Sequence, residues 1–471
     1  MKKTFTILLL MLVFPLGTLA EGVSSSPATT PPPGIQPASL PQTTASGEKA
    51  MSIPSLPETT SPPNIPSAVL DIQKKIKVTK IFNNTNDNKY ALNDKGQIVA
   101  GSLIWENEKI TTIPSLVKDL DVTSQDINEN GQVVGEALVT SDKDSFGLMH
   151  AFFYENGVTK DIGKLLGSHL GSSAKAINNS GQVVGYYYPP KGGRSFLWDK
   201  KGGMKDLGIL QKKYNYVEAR DINDNGQIVG GTGNEDETRG FIWESGVMKD
   251  LGTLGGSWVN VLAINNKGQV VGYAETLRKT KDGVNIVAPF IWENDVMKEI
   301  QTPAGGIALD INDRGQVLGE MGVIPFVWQK GGIMYLRDTV SLEDKEAVNM
   351  NVSSINNVGQ IAGSDFLLTL PSNTPPKFEF LSQKKGSSII RWRDSDSDNN
   401  ANISLYYFRA DRTSETDEQL IVSGIQEDKD GKKDSYLWDT SDLEPGTYFM
   451  YAQIDDGVNP TVRAYSQPIH F

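Results

Sequence analysis

Ile127-Asn128-Glu129-Asn130-Gly131-Gln132-Val133-Val134-Gly135 is one of seven versions of a single phrase. Its recurrence decides the fold. The other versions begin at Leu92-Asn93, Ile177-Asn178, Ile222-Asn223, Ile264-Asn265, Ile311-Asn312 and Ile355-Asn356. Their Gly-Gln pairs step by 35, 50, 45, 42, 47 and 44 residues. A period of this size marks a repeat architecture, and a four-stranded propeller blade takes about 40–45 residues.

Working outward from the phrase, each unit reads as four strands. The first ends at the Ile-Asn and the second carries Gln-Val-Val-Gly. The third is apolar and aromatic, as at Leu103-Ile104-Trp105, Phe196-Leu197-Trp198 and Phe326-Val327-Trp328. The fourth resembles Val247 to Leu251. Short β-branched and aromatic runs divided by turn residues are strands rather than helices. Asn-x-x-Gly supplies the tight turn: the Asn bonds its own backbone, and the Gly takes positive φ without steric cost.

The seventh unit stops at Leu370-Pro371 without a fourth strand. An orphan run, Ile76 to Phe82, precedes the first unit. If that run completes the last unit, both ends of the repeat region latch a ring and no long edge is left open. The expectation is an all-β chain with a seven-bladed β-propeller over residues 68–371, its N-terminal strand closing the last blade. An open solenoid of the same units is the competing arrangement.

The flanks have other characters. Residues 1–20 read as a secretory signal peptide, with Lys2 and Lys3, an apolar Ile7 to Leu16, and a small-residue end at Ala20. Residues 21–67 are rich in Pro, Ser and Thr and read as a disordered stalk, because they cannot bury enough apolar surface to offset ordering. Residues 372–471 hold alternating runs such as Ser388 to Trp392 and Ile403 to Tyr407, which read as a β-sandwich. The expected localisation is export, to the extracellular medium, the cell surface or the periplasm, with no transmembrane segment in the mature chain.

Composition excludes several classes. The chain has 471 residues, no Cys, 3 His and a formal net charge of −12. Disulfides, thiol nucleophiles and Cys-ligated zinc are ruled out. An acidic chain without a basic stretch is a poor partner for nucleic acid.

The units resemble the HAF repeat family of bacterial exported proteins. The resemblance lies in the Ile-Asn-x-x-Gly-Gln-Val-Val-Gly core, in His150-Ala151-Phe152, and in Asp250-Leu251-Gly252-Thr253-Leu254-Gly255-Gly256-Ser257. It covers roughly residues 88–370 and implies an exported repeat protein with no known reaction. Trp392 and Leu443-Glu444-Pro445-Gly446-Thr447-Tyr448 resemble an immunoglobulin- or fibronectin type III-like module, which implies that the Trp is core and the Tyr closes a corner.

Most recurring residues are scaffold, since a site on a ring is usually asymmetric. Two features stand apart. The residue before Ile-Asn alternates around the ring: Ala91, Asp126, Ala176, Asp221, Ala263, Asp310, Ser354. On an innermost strand, Asp126, Asp221 and Asp310 could converge on a channel and hold a hard cation such as Ca2+. Alternatively each bonds to turn amides. The second feature is a set of non-repeating aromatics, Tyr186, Tyr187, Tyr188, Tyr214, Tyr216 and Trp258, on the side where connections are long: Glu136 to His150 and Tyr273 to Pro289. Variable connections on a rigid scaffold are the usual place for binding. In the C-terminal region Asp394, Asp396 and Asp398 place oxygens at alternate positions, as a calcium loop does. No other cofactor is implied.

The functional expectation is an exported, non-enzymatic binding protein whose long-loop face meets a surface glycan or a protein. The alternatives are a carbohydrate-active enzyme using the channel carboxylates, which would need two of them ~5–10 Å apart, and a purely structural surface or adhesin component.

Overall fold

In a computed structural model, residues 78–82, 89–139, 147–167, 170–280, 283–340, 352–364, 366–370, 376–382, 387–395, 401–410, 418–427, 433–457 and 460–471 are described. All of them fall within the unit Ile53–Phe471. The expected leader and stalk, residues 1–67, lie outside them. The described chain is all-β, interrupted by two short 3-10 turns at Gly163–Leu166 and Leu336–Asp338. No helix among the described residues is long and apolar enough to cross a membrane.

The repeats form a propeller-like series of antiparallel sheets. The second is representative: Val122–Ile127, Val133–Leu138, Met149–Glu155 and Val158–Asp161 are hydrogen-bonded in that order. The same order recurs in repeats one, three, four and five, and in repeat six, Ile307–Ile311 to Gly332–Tyr335. The seventh has Val352–Ile355, Gln360–Gly363 and Phe366–Thr369. Its outer strand is Val78–Lys80, which runs antiparallel with Val78 opposite Leu368. The N-terminal run therefore joins the last repeat as its pattern suggested.

The phrase explains itself in the hydrogen bonds. Asn128 Oδ1 accepts from the amides of Asn130 and Gln132, both at 3.0 Å, and shapes the turn. Gly131 follows at φ 70°. Asn128 Nδ2 donates to Gln132 Oε1 and reaches across to the Asn178 carbonyl of the next repeat at 2.9 Å. That crossing bond occurs in every repeat, and Asn356 returns to the Asn93 carbonyl at 2.9 Å. A second circle lies beside it. The amide of each residue after the Asn donates to the side chain of its counterpart one repeat on, from Asp94 through Glu129 and round to Asn357, which returns to Asp94 Oδ1 at 2.7 Å.

The last Gly of the phrase answers a different need. The first strand bulges by one residue at Gln125, Lys175, Arg220, Leu262, Leu309 and Ser353. Such a bulge bends the strand and re-aims side chains. A Cβ on Gly135 would then lie 2.1 Å from the Thr123 carbonyl, and one on Gly185 2.0 Å from that of Ser173. Only glycine fits against the bulged strand.

Between sheets, Phe152, Phe196, Phe241, Phe290, Phe326 and Phe366 are fully buried. Each apolar cluster takes residues from neighbouring repeats, as where Val134 and Phe153 pack with Ala174, Phe196 and Trp198. On the outside, fourth-strand lysines cover the third-strand Trp of the next repeat: Lys160 over Trp198 at 5.3 Å and Lys205 over Trp243 at 5.1 Å. Each such contact is worth about 0.5–1 kcal/mol at an exposed position.

One connection proves shorter than its sequence suggested. The stretch from Tyr273 to Pro289 is mostly strand, since Val270–Lys279 and Asn285–Glu293 extend the fifth sheet beyond its neighbours.

The C-terminal strands attach to the sixth repeat. Gly332–Tyr335 pairs with Val462–Tyr465 where Ile333 faces Arg463. Tyr335 and Tyr465 hydroxyls meet at 2.8 Å, and the Arg463 guanidinium lies 5.4 Å from the rings of both Tyr335 and Tyr451. The three-stranded sheet of Lys377–Phe380, Ile389–Ser395 and Asp434–Leu437 shares one core with strands Asn402–Arg409, Thr447–Asp455 and Val462–Tyr465. Trp392 is buried there, stacked on Phe378 at 6.0 Å, and the Tyr448 hydroxyl donates to the Glu444 carbonyl at 2.8 Å.

Candidate ligand-binding site

The first strands of all seven repeats surround a common bore. A cavity of about 200 Å³ opens there, lined by the Asn turns and by Asp126 and Asp310. These carboxylates are committed to backbone. Asp126 Oδ1 accepts from its neighbour Ile127, and Oδ2 from Ile177 of the next repeat, both at 2.8 Å. Asp221 bonds Ile222 and Ile264 in the same way, and Asp310 bonds Ile311 and Ile355. Among the described residues no three carboxylate or imidazole groups are grouped to hold a metal ion. Their oxygens staple repeats together, the bonding to backbone amides that stood as the alternative to a cation site, and the alternation leaves a small residue, Ala176, Ala263 or Ser354, where the staple arrives.

Burial within the ring raises the pKa of Asp126 to about 7 and of Asp221 to about 6, against the pull of two amide bonds each. Asp310 is raised for the same reason. Lys89 is surrounded by protein yet open to the bore. Its Nζ donates to Gln125 Oε1 at 3.1 Å, and it feels the fields of all three aspartates.

The opposite end of the bore carries residues that do not repeat. The bulges of repeats three and four aim Lys175 and Arg220 inward. Lys175 Nζ stands 5.1 Å from the Tyr186 ring, and Tyr186 meets Tyr188 edge-on at 5.4 Å. Arg220 donates to Glu218 Oε2 at 3.0 Å. The side chains of Tyr216 and Tyr188 flank Gly193. Glu218 and Arg220 act electrostatically on Tyr186, Tyr188 and Tyr216 alike, while Glu136 of repeat two acts on Tyr186 and Tyr188. Burial pushes all three phenols up. The fifth sheet adds Tyr273, whose ring lies 5.1 Å from Trp258 and whose hydroxyl accepts from Asn260 Nδ2 at 2.8 Å. Arg220 also acts on Tyr273.

Of the six expected aromatics, Tyr186, Tyr188 and Tyr216 thus come together, and Trp258 joins through Tyr273. Two do not. Tyr187 faces the other side of its strand, as alternation requires, and its hydroxyl donates to Asp206 Oδ2 at 3.0 Å. Tyr214 is 4% exposed and bonds Glu237 Oε1 at 3.3 Å, so it is a packing residue. Lys89, Glu136, Lys175, Glu218, Arg220 and Tyr273 had not been anticipated. No local signal marks them: the bulge column reads Gln, Lys, Arg, Leu, Leu, Ser, but the column two residues before it varies as much, with Thr123, Ser173, Glu218, Asn260 and Ile307.

In the C-terminal region Asp396 and Asp398 lie outside the described residues. Asp394 is buried beside Asp434, and desolvation together with that neighbour raises its pKa to about 7.

A family model described as a protein of unknown function (DUF3466) matches residues 77–246. No HAF-repeat or fibronectin type III family is found, which corrects both resemblances. The physical reason is visible in the turns. Asn-x-x-Gly-Gln is what a tight turn bonded to its neighbour demands, so the phrase marks an architecture more than a lineage. No curated protein matches the chain. Among solved structures the chain is similar to the β-propeller domain of the Trilobed protease from Pyrococcus furiosus, with 15% identity over 48% of this chain and 72% of that one, at a TM-score of 0.34. It is also similar to a GH43_12 protein retrieved from a capybara gut metagenome, with 9% identity over 84% and 91% at a TM-score of 0.24. A third is a Bombyx mori GH32 β-fructofuranosidase, with 10% identity over 79% and 83% at a TM-score of 0.23.

Proposed function

We propose that this chain is an exported, non-enzymatic glycan-binding protein. In this reading the seven sheets make a closed seven-bladed propeller, the C-terminal strands make a two-sheet sandwich docked on its sixth blade, and the ligand enters the bore from the side of Tyr186, Tyr188 and Tyr216.

The observation that carries the reading is the concentration of non-repeating groups at one mouth of a repetitive ring. Tyrosines offer flat apolar faces with polar tips, suited to sugar rings that are themselves apolar on one face and hydroxylated at the edge. Glu136 and Glu218 accept from sugar hydroxyls, and Arg220 and Asn260 donate. Convergent polar groups beside aromatic walls are the usual composition of a ligand pocket. Catalysis by the channel aspartates is disfavoured, because each is already bonded to two amides and lies deeper in the bore.

The test is a panel of immobilised polysaccharides probed with the full chain, scored for retention and for new reducing ends. Retention without new ends, weakened at least tenfold in Tyr188→Ala and Tyr216→Ala, is the expected result. New reducing ends would refute the non-enzymatic reading. Absence of retention on every glycan would remove the ligand class.

A further inference from the structure

A glycine inside a strand weakens it and usually marks a bend or a close approach by backbone or ligand. Gly135, Gly185, Gly230 and Gly272 have their reason in the bulged first strand, where a carbonyl lies 2.0–2.1 Å from the place of each missing Cβ. Gly231 has no such reason. Its φ is not positive, and a Cβ there would meet nothing within 4 Å. The adjoining repeats fill the same level of the second strand with large side chains. Across from Thr123, Ser173, Glu218, Asn260 and Ile307 stand Glu136, Tyr186, Gly231, Tyr273 and Glu320. Of these five, only repeat four leaves the level open, and the repeats on either side of it carry tyrosine there.

The strand beside the gap is polar. Glu218 lies directly across from Gly231, its Oε2 accepts from Arg220 at 3.0 Å, and its Oε1 has no hydrogen bond among the described residues. Arg220 makes that one bond through Nη2. Tyr216, two residues before Glu218 on the same face of the strand, stands at the lip. An acceptor beside a donor matches two adjacent hydroxyls of a pyranose, one donating to Glu218 Oε1 and the other accepting from Arg220.

We infer that the open place at Gly231 is the subsite for a neutral pyranose, its ring against Tyr216 and its vicinal hydroxyls on Glu218 and Arg220. This rests on the glycan-binding reading and names both the class of sugar and the position that admits it. The charge around the bore selects against an acidic sugar. Lys89, Lys175 and Arg220 stand among the three aspartates below them and Glu136, Glu218 and Glu320, so carboxylates outnumber cations. A further carboxylate would enter that field without a cation left to meet it, and leaving water for such a place is costly.

The experiment is retention of the full chain on immobilised galactan, glucan, mannan and xylan, and in parallel on polygalacturonate and alginate. The parent is compared with Gly231→Tyr, which restores the side chain of the neighbouring repeats, and with Gly231→Ala. The expected result is retention on a neutral polysaccharide, at least tenfold weaker on the acidic ones. Gly231→Tyr should weaken it at least tenfold and Gly231→Ala by less, both with the thermal melt of the parent, since the new side chain enters open space. Retention weakened in Tyr216→Ala but unchanged or tightened in Gly231→Tyr would overturn this inference and leave the glycan reading standing. So would retention as strong on the acidic polysaccharides as on the neutral ones, a comparison that needs no variant. Absence of retention on every polysaccharide would overturn both readings.

Discussion

Asn223→Ala isolates the repeated phrase in one side chain. Asn223 is 4% exposed and makes four hydrogen bonds. Its Oδ1 accepts from the amides of Asn225 at 3.1 Å and Gln227 at 3.0 Å. Its Nδ2 donates to Gln227 Oε1 at 2.8 Å and to the Asn265 carbonyl at 3.0 Å. Alanine removes all four and strands two amides, while the Asn265 carbonyl keeps the Gly268 amide at 3.0 Å. A net hydrogen bond is worth about 0.5–1.5 kcal/mol, and a stranded buried group costs about 1–3 kcal/mol. Together they set the expected loss at about 3–5 kcal/mol. Urea unfolding followed by tryptophan emission reads it as a lower midpoint at unchanged slope. The same substitution at Asn356 probes the return of the circle, since its partner, the Asn93 carbonyl, is 263 residues away in sequence. Equal losses at the two positions are expected of a closed circle. A loss under about 0.5 kcal/mol at Asn223 would refute the account of the turns, and a loss confined to Asn223 would refute closure.

Three further outcomes follow from the same geometry. The raised pKa values of Asp126 and Asp221 mean that the folded chain keeps protons the unfolded chain releases at its ordinary carboxylate pKa near 4. Their contribution to stability is therefore full below about pH 4 and is lost as pH rises to about 7, and the double variant Asp126→Asn with Asp221→Asn should flatten that slope in thermal melts. Tyr465→Phe removes the bond to Tyr335 and should cost about 1 kcal/mol, with Tyr335→Phe adding much less than a second such loss when the two are combined. Truncation before residue 83 strips the outer strand of the seventh sheet and the buried Ile81 and Phe82. Two such side chains are worth about 3–6 kcal/mol, and a truncated chain that melts with the parent would exclude the latch.

The repeat phrase made much of this legible in advance, because each part of it has one physical job done seven times. Asn turns, the glycine at positive φ, the four strands and the completing role of Val78–Lys80 were all readable. The mouth was less so. A bulge is an event of register and leaves the hydrophobic pattern on either side unchanged, so nothing local announced that Lys175 and Arg220 would turn inward. Tyr186, Tyr187 and Tyr188 look alike in sequence, but strand alternation sends the middle one to Asp206. The extension of the fifth sheet was read as a connection, because above the scaffold there is no second face to bury and Leu277, 74% exposed, carries no alternation to recognise. For the aspartates the sequence leaves a cation and the turn amides open alike, since a carboxylate facing two amides and one facing a cation have the same sequence.

Seven is an odd number, and two of the rings are built on alternation. Aspartate staples join repeat two to three, four to five and six to seven. Repeat one is left over, with only a Ser354 hydroxyl reaching the Tyr90 carbonyl. In the outer circle acid and amide side chains also alternate until Asp94 meets Glu129, two acids side by side, where Lys95 reaches across to the Glu129 carbonyl at 2.5 Å. A cycle with odd membership cannot be coloured in two colours without one clash, and both tiers put their clash at repeat one. The ring is thus three couples and a single. Parity leaves both faults on repeat one, the missing staple at its seam with repeat seven and the paired acids at its seam with repeat two, so no single added repeat would mend both.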